Sequence, residues 1–386
     1  MSKTPTMKHR AAHTLRSLAV AWTIAGASAS PAAAQGVPLD RLSIHGFLTQ
    51  AYGITDGHQF LGLPSYGTSD YRSAALLFRY DATDRDVFVV QFSHERLGLS
   101  PLSQFEPDVD LDWIFYEHRF GDRTLARVGK IRTPLGIYNE IRDVGTLLPL
   151  YRPPAMLYGE QVNRSETVDG VMIGQAVPLG DWSLDLEAFF GSWEYTQVDL
   201  QTRAKVSRAF GSQLWVRTPV EGLRLGGGAM HMTVRNIVGA PPGTRDNQFA
   251  WQAAVDGTFS RFFVRGEYFR LAFGHEADGI TGAVPIYYAE AGLGVTDRLT
   301  LIGQAEFIDI AFEATYPMPL SVDENVGRDF GLGIRYQPAP FLAFKIEGHR
   351  HRGYGIEDWG ENGPPGPGSG EQPNVTYGLF SVSTSF

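Results

Sequence analysis

The residues best placed to do chemistry are basic side chains gathered in one stretch of an acidic chain. Between positions 123 and 165 lie Arg123, Arg127, Lys130, Arg132, Arg142, Arg152 and Arg164, against Glu140, Asp143 and Glu160. The whole chain of 386 residues carries 33 Lys+Arg and 42 Asp+Glu, a net of −9. Cationic side chains in a narrow, low-dielectric passage act on an anion far more strongly than on an open surface. Buried charges are also normally paired. Arg142 beside Asp143 or Glu140, and Arg132 beside a wall carboxylate, would then simply pin the segment that carries them.

Other chemistries find less support. His349 and His351 share one strand face with Glu347 and could hold a metal, but histidines two apart near a loop are more often rim residues. Ser93 and His94 point to opposite faces of a strand. Neither G-x-S-x-G nor H-E-x-x-H occurs, and the absence of cysteine excludes thiolate ligands and nucleophiles. No catalytic residue, metal or cofactor is expected, and hydrolytic chemistry is the least supported reading of the chain.

The elements that must position the basic stretch are strands. Residues 1–34 read as a cleaved export signal: Lys3, Lys8, Arg10 and Arg16, an apolar run from Leu18 to Ala27, then Ala32-Ala33-Ala34. Removing its four bases leaves 29 bases against 42 acids, a net of −13, which argues against a nucleic-acid partner. Residues 35–386 alternate in segments of about ten, the length of a tilted transmembrane strand. Trp182, Leu184, Leu186, Ala188 and Phe190 oppose Ser183, Asp185 and Glu187, and Leu299, Leu301, Gly303, Ala305 and Phe307 oppose Thr300, Gln304 and Glu306.

Seven short turns, at 81–84, 121–122, 179–181, 218–222, 259–261, 296–297 and 337–340, alternate with eight long polar loops. These lie near 53–70, 95–110, 133–163, 193–207, 235–247, 274–285, 309–328 and 352–374. The count gives an all-β fold, a transmembrane antiparallel β-barrel of about 16 strands. Tyr80, Phe120, Trp182, Phe259 and Tyr336 flank the short turns, as an interfacial girdle would. The last strand places Gly378, Phe380, Val382, Thr384 and Phe386 on one face. The third loop holds Ile137, Tyr138, Leu148, Tyr151, Met156 and Tyr158, stiffened by Pro134, Pro149, Pro153 and Pro154, so it is expected to fold inward.

The signal, Val128-Gly-Lys130 leading into Pro134-Leu-Gly136, and the terminal Phe386 resemble porins of the phosphate-selective O and P type over most of residues 36–386. That resemblance implies a trimeric sixteen-stranded channel with an inward-folded third loop and an anion path of arginines and lysines. By loop position it marks Lys130, Arg132, Arg142 and Arg152 as pore-lining candidates, with Glu140 and Asp143 completing the constriction. Few lysines stand in this chain, which counts against phosphate as the solute. The expected function is passive diffusion of small hydrophilic solutes across the outer membrane of a Gram-negative type cell, with modest anion preference. The alternative is a structural or adhesive barrel plugged by its loops.

Expected partners are outer-membrane lipid and lipopolysaccharide, the barrel assembly machinery through the strand ending at Phe386, and two further copies of the chain. Ala289, Ala291, Gly303 and Ala305 could form a flat subunit contact. The acidic outer loops, with Asp309, Glu313, Asp323, Glu324, Glu357, Asp358 and Glu361, read as solvated surface or as a divalent-cation bridge to lipopolysaccharide.

Overall fold

A computed structural model describes residues 39–101, 108–159, 166–197, 202–235, 245–275, 279–314, 320–354 and 372–386. The expected signal at 1–34 lies outside them. After a short 3₁₀ turn at Leu39–Arg41 come β1 (Leu42–Thr55), β2 (Thr68–Asp81), β3 (Asp86–Leu97), β4 (Asp110–Arg119) and β5 (Thr124–Arg132). A single helical turn, α1 (Ala155–Tyr158), interrupts the third loop. Then follow β6 (Thr167–Leu179), β7 (Trp182–Gln197), β8 (Thr202–Arg217), β9 (Leu223–Arg235), β10 (Arg245–Thr258) and β11 (Phe262–His275). The last are β12 (Ile280–Gly294), β13 (Leu299–Ala314), β14 (Leu320–Ala339), β15 (Leu342–Gly353) and β16 (Asn374–Ser385).

Each strand pairs antiparallel with its sequence neighbours, and β16 returns to β1, so the sixteen strands close into a barrel. Closure leaves no edge strand with unpaired backbone groups, which an apolar bilayer would not tolerate. Side chains two apart share a face, so the alternation divides every strand between outside and lumen. On β7, Trp182, Leu186 and Phe190 are exposed outward while Phe189 is buried inward. On β16, Phe380 is 48% exposed, whereas Ser381 and Ser383 are at most 1% exposed.

All seven short turns fall where the sequence places them, between β2 and β3, β4 and β5, and so on to β14 and β15. The loops are shorter than the sequence suggests. β7 and β8 extend to Gln197 and from Thr202, and β13 and β14 to Ala314 and from Leu320. Above the apolar band both faces of a strand are wet, so the ladder continues after the two-residue hydrophobic period has vanished.

Phe120 (65% exposed), Trp182 and Tyr336 form part of the belt at the short-turn end. A second belt, not evident in the sequence, crosses the outside nearer the long loops. Trp251–Tyr268, Tyr268–Tyr287, Tyr287–Phe307 and Phe307–Phe330 follow one another with ring centroids 5.0, 6.4, 4.9 and 5.7 Å apart.

Gly129, Gly170 and Gly191 sit side by side on β5, β6 and β7. Gly129 has φ +136°, and a Cβ there would lie 2.2 Å from the Ile114 carbonyl oxygen. Neither the angle nor the spacing admits a side chain. Gly129→Ala is therefore expected to destabilise the barrel by about 1–3 kcal/mol, read as a lowered urea midpoint in detergent. Gly227→Ala, where the nearest atom is 3.5 Å away, is expected to shift that midpoint little.

Candidate functional site

The third loop crosses the lumen and carries the buried core with it. Tyr138, Leu148, Met156, Leu157 and Tyr158 are each at most 3% exposed and form one buried cluster with Ile131, Val168 and Met172 of the wall. Leu147, by contrast, is 53% exposed.

What holds the loop is a row of acids on the lumen face of β11 to β15. Register places Glu267, Tyr288, Glu306, Asp329 and His351 directly opposite one another on these five strands. The Ile137 N–H donates to Glu267 at 3.0 Å, Met156 N–H to Glu306 at 2.8 Å and Tyr151 N–H to Glu347 at 2.9 Å. The Tyr158 and Tyr288 hydroxyls donate to Glu267, and the Tyr138 hydroxyl donates to Glu290. In return the Lys345 ammonium donates to the carbonyls of Gly145 and Leu150 at 2.7 and 2.6 Å, and Arg335 donates to that of Thr146. Burial and the Glu267 carboxylate push the Tyr158 hydroxyl well above the usual tyrosine range, so it stays a donor.

The loop's root is a second charged cluster. Arg132, 7% exposed, lies among Asp112 of β4, Asp143 of the loop and Glu166, with its guanidinium carbon 4.0 Å from the Trp113 ring centroid. Arg142 donates to the Tyr158 carbonyl at 2.7 Å and lies 3.5 Å from Glu166. The three carboxylates are close enough together to hold a cation, and the Arg132 guanidinium fills that role. Burial pushes the Glu166 carboxyl up, but Arg132 and Arg142 outweigh it and hold it below its ordinary range.

The six candidates from the sequence therefore separate. Lys130 faces outward with Ile114 and Asp169, its ammonium 2.6 Å from the Leu111 carbonyl, and has no place in the lumen. Even spacing along the strand sets this, because Val128 on the same face is 49% exposed. Arg132 is enclosed at the root. Glu140 is exposed and lines a vestibule of about 1070 Å³ at the short-turn end, beneath the loop. Five arginines and five acids line that space, among them Arg119, Arg123, Arg217, Asp185 and Glu187.

Arg142, Asp143 and Arg152 come together at an opening of about 40 Å³ between the loop and the β1–β3 wall. There they meet Thr49, Ser73 and Glu95, which stand in one cross-strand row. The sequence reading missed Glu95, Glu267 and Lys345, and it noted Glu347 only beside His349 and His351, not as an acceptor for the Tyr151 N–H. Glu290 and Glu306 are buried on the inner wall directly under the loop.

No family model and no curated protein matches the chain. Solved structures do. An anion-selective porin from Comamonas acidovorans superposes with TM-score 0.57 at 12% identity, covering 89% of this chain and 99% of that one. OmpT, an outer membrane protein of Vibrio cholerae, in its trimer form gives the same TM-score, identity and coverage. The outer membrane channel DcaP of Acinetobacter baumannii gives 0.55 at 9% identity, covering 89% and 97%. At these identities the likeness establishes the fold, that of bacterial outer-membrane porins, without singling out the phosphate-selective type.

Arg132→Ala leaves Asp112, Asp143 and Glu166 facing one another and is expected to cost about 3–5 kcal/mol of loop anchoring, read as new proteolytic cleavage in the loop. A depressed folded pKa at Glu166 means its clamp is fully present above the unfolded value of about 4.3 and lost as pH falls through the lower folded value. Cleavage is accordingly expected to stay low from pH 8 to 5 and to rise on further acidification, with Glu166→Gln showing the acid pattern already at pH 7.

Proposed function

We propose that the chain is a porin-like diffusion channel of the outer membrane for small hydrophilic solutes, with a modest anion preference set where the third loop meets the β1–β3 wall. The observation that carries this reading is the loop laid across a closed barrel, with a vestibule of about 1070 Å³ beneath it and an arginine-bearing opening beside it. Sixteen strands enclose a lumen that their own side chains do not fill. The similarity to an anion-selective porin and to an outer membrane channel supports the same reading.

The preference belongs to Arg142 and Arg152, which stand at the opening, against Asp143 and Glu95. Two bases against two acids in so small a space give a transverse field with little excess of either sign. Arg132 contributes to the loop's position rather than to the passage. Residues 1–34 direct export and are removed, the strand ending at Phe386 is read by the assembly machinery, and the mature chain forms a homotrimer. A trimer form of a similar barrel supports the last point. The outward pairs Ala289–Ala305 and Ala291–Gly303 are its candidate contact.

One observation favours a second reading, a barrel closed by its loop: the opening of about 40 Å³ is small for a solute larger than a few waters. Single-channel recording in a planar bilayer with a salt gradient decides. Steady conductance is expected, with an anion-sided reversal potential that falls toward zero in Arg142→Ala and Arg152→Ala. Cation selectivity would overturn the preference, and a silent membrane over folded protein would establish the closed barrel.

A further inference from the structure

The structure assigns to Arg328, Arg350 and Arg352 a site on the outer wall for a phosphate group carried by a lipid headgroup. Arg328 stands directly opposite Arg352 across the β14–β15 pair, and Arg350 stands opposite Phe330. Their face is the outer one. Phe330 is 51% and Ile346 56% exposed on it, while the intervening Asp329 and His351 are at most 3% exposed within the lumen. Arg350 and Arg352 are exposed, and Arg328 is half-buried.

Like charges directly opposite on one sheet face destabilise it unless something neutralises them. The same juxtaposition recurs on β2 and β3, where Arg72 faces Arg96. There Asp70 lies between them, 2.5 Å from one guanidinium and 2.9 Å from the other. Among the described residues no carboxylate forms an ion pair with Arg328, Arg350 or Arg352. The acid felt by Arg350 is Asp56, whose carboxylate already accepts the Thr376 N–H at 2.8 Å. Beyond Arg350 and Arg352, β16 presents the neutral Thr376 and Asn374.

Two features specify the anion that this cluster would take. Guanidinium forks match the oxygens of phosphate, so three of them on adjacent strands suit a phosphate rather than a zwitterionic headgroup. Immediately toward the short-turn end the surface is apolar: Phe330 packs against Phe307, and Leu332 is 74% exposed. A ligand with phosphate at one end and acyl chains at the other satisfies both surfaces, whereas free phosphate satisfies one.

The proposal rests on the membrane setting of the channel reading. Full-length barrel in neutral detergent is titrated with bis-phosphorylated lipid A, phosphatidylcholine and inorganic phosphate, with bound copies counted by native mass spectrometry. Lipid A is expected to bind at least about tenfold tighter than phosphatidylcholine and to lose roughly tenfold for each arginine replaced by glutamine. Arg270→Gln, an isolated outward arginine opposite Trp251, is expected to change nothing.

A second readout does not depend on the triple variant folding. In lipid-free detergent Arg352→Gln relieves the repulsion and is expected to raise the thermal midpoint above wild type, an order that lipid A reverses. Equal lipid A binding by wild type and R328Q/R350Q/R352Q would overturn the site, as would displacement of lipid A by millimolar inorganic phosphate. Conductance of the same preparation separates the two readings. A conducting barrel without lipid preference fails the site alone, and a lipid-binding barrel that does not conduct fails the channel alone.

Discussion

A carboxylate covered by a loop must receive hydrogen bonds from that loop, because an unpaired charge out of water costs several kcal/mol. That constraint organises this barrel. Glu267, Glu290, Glu306 and Glu347 are all below 10% exposed, and each accepts a hydrogen bond from a loop backbone N–H or a loop tyrosine. The acids fix the loop's height and path, and Glu306 stands opposite Asp329 with the Met156 N–H on the first and His349 Nδ1 2.7 Å from the second. Lys345 and Arg335 close the arrangement by donating to loop carbonyls, so backbone groups of an irregular segment are satisfied without a sheet of their own.

The passage is what this anchoring leaves over. One side of the lumen is filled with tyrosine, methionine and leucine, and the remaining space is the vestibule at the short-turn end and the opening beside β1–β3. Charge counting along the sequence overstates the field in that space. Of the bases between 123 and 165, Arg127 pairs with Glu117, Arg132 with three acids, and Lys130 lies outside the lumen. In the proposed channel, any selectivity falls to the charges gathered at the opening, Arg142 and Arg152 with Asp143 and Glu95.

Much of this was legible in the residues. Two-residue alternation and the spacing of turns specified sixteen strands because one face of each strand meets lipid and the other water, and the third loop's apolar content required it to find a core. The site was less legible. Ile137 and Glu267 are 130 residues apart, Met156 and Glu306 150, and Tyr151 and Glu347 196, so no local pattern links them. A signal did exist in Glu267, Lys345 and Glu347, charged residues at inward positions that an empty wall would not need, together with the tyrosines at 138 and 158. Lys130 misled because proximity to the loop suggested the lumen, while strict alternation from Val128 puts it outside.

Tethering the loop to the wall tests the anchoring directly. The chain has no cysteine, and the Thr146 and Ser385 hydroxyl oxygens lie 3.2 Å apart, one on the loop and one on β16. In Thr146→Cys/Ser385→Cys, mild oxidation of the folded barrel is predicted to cross-link nearly every molecule and to leave single-channel conductance unchanged, because the loop already rests there. Failure to cross-link, or a conductance that falls on oxidation and returns on reduction, would show that the loop ordinarily lies elsewhere and would contradict the account.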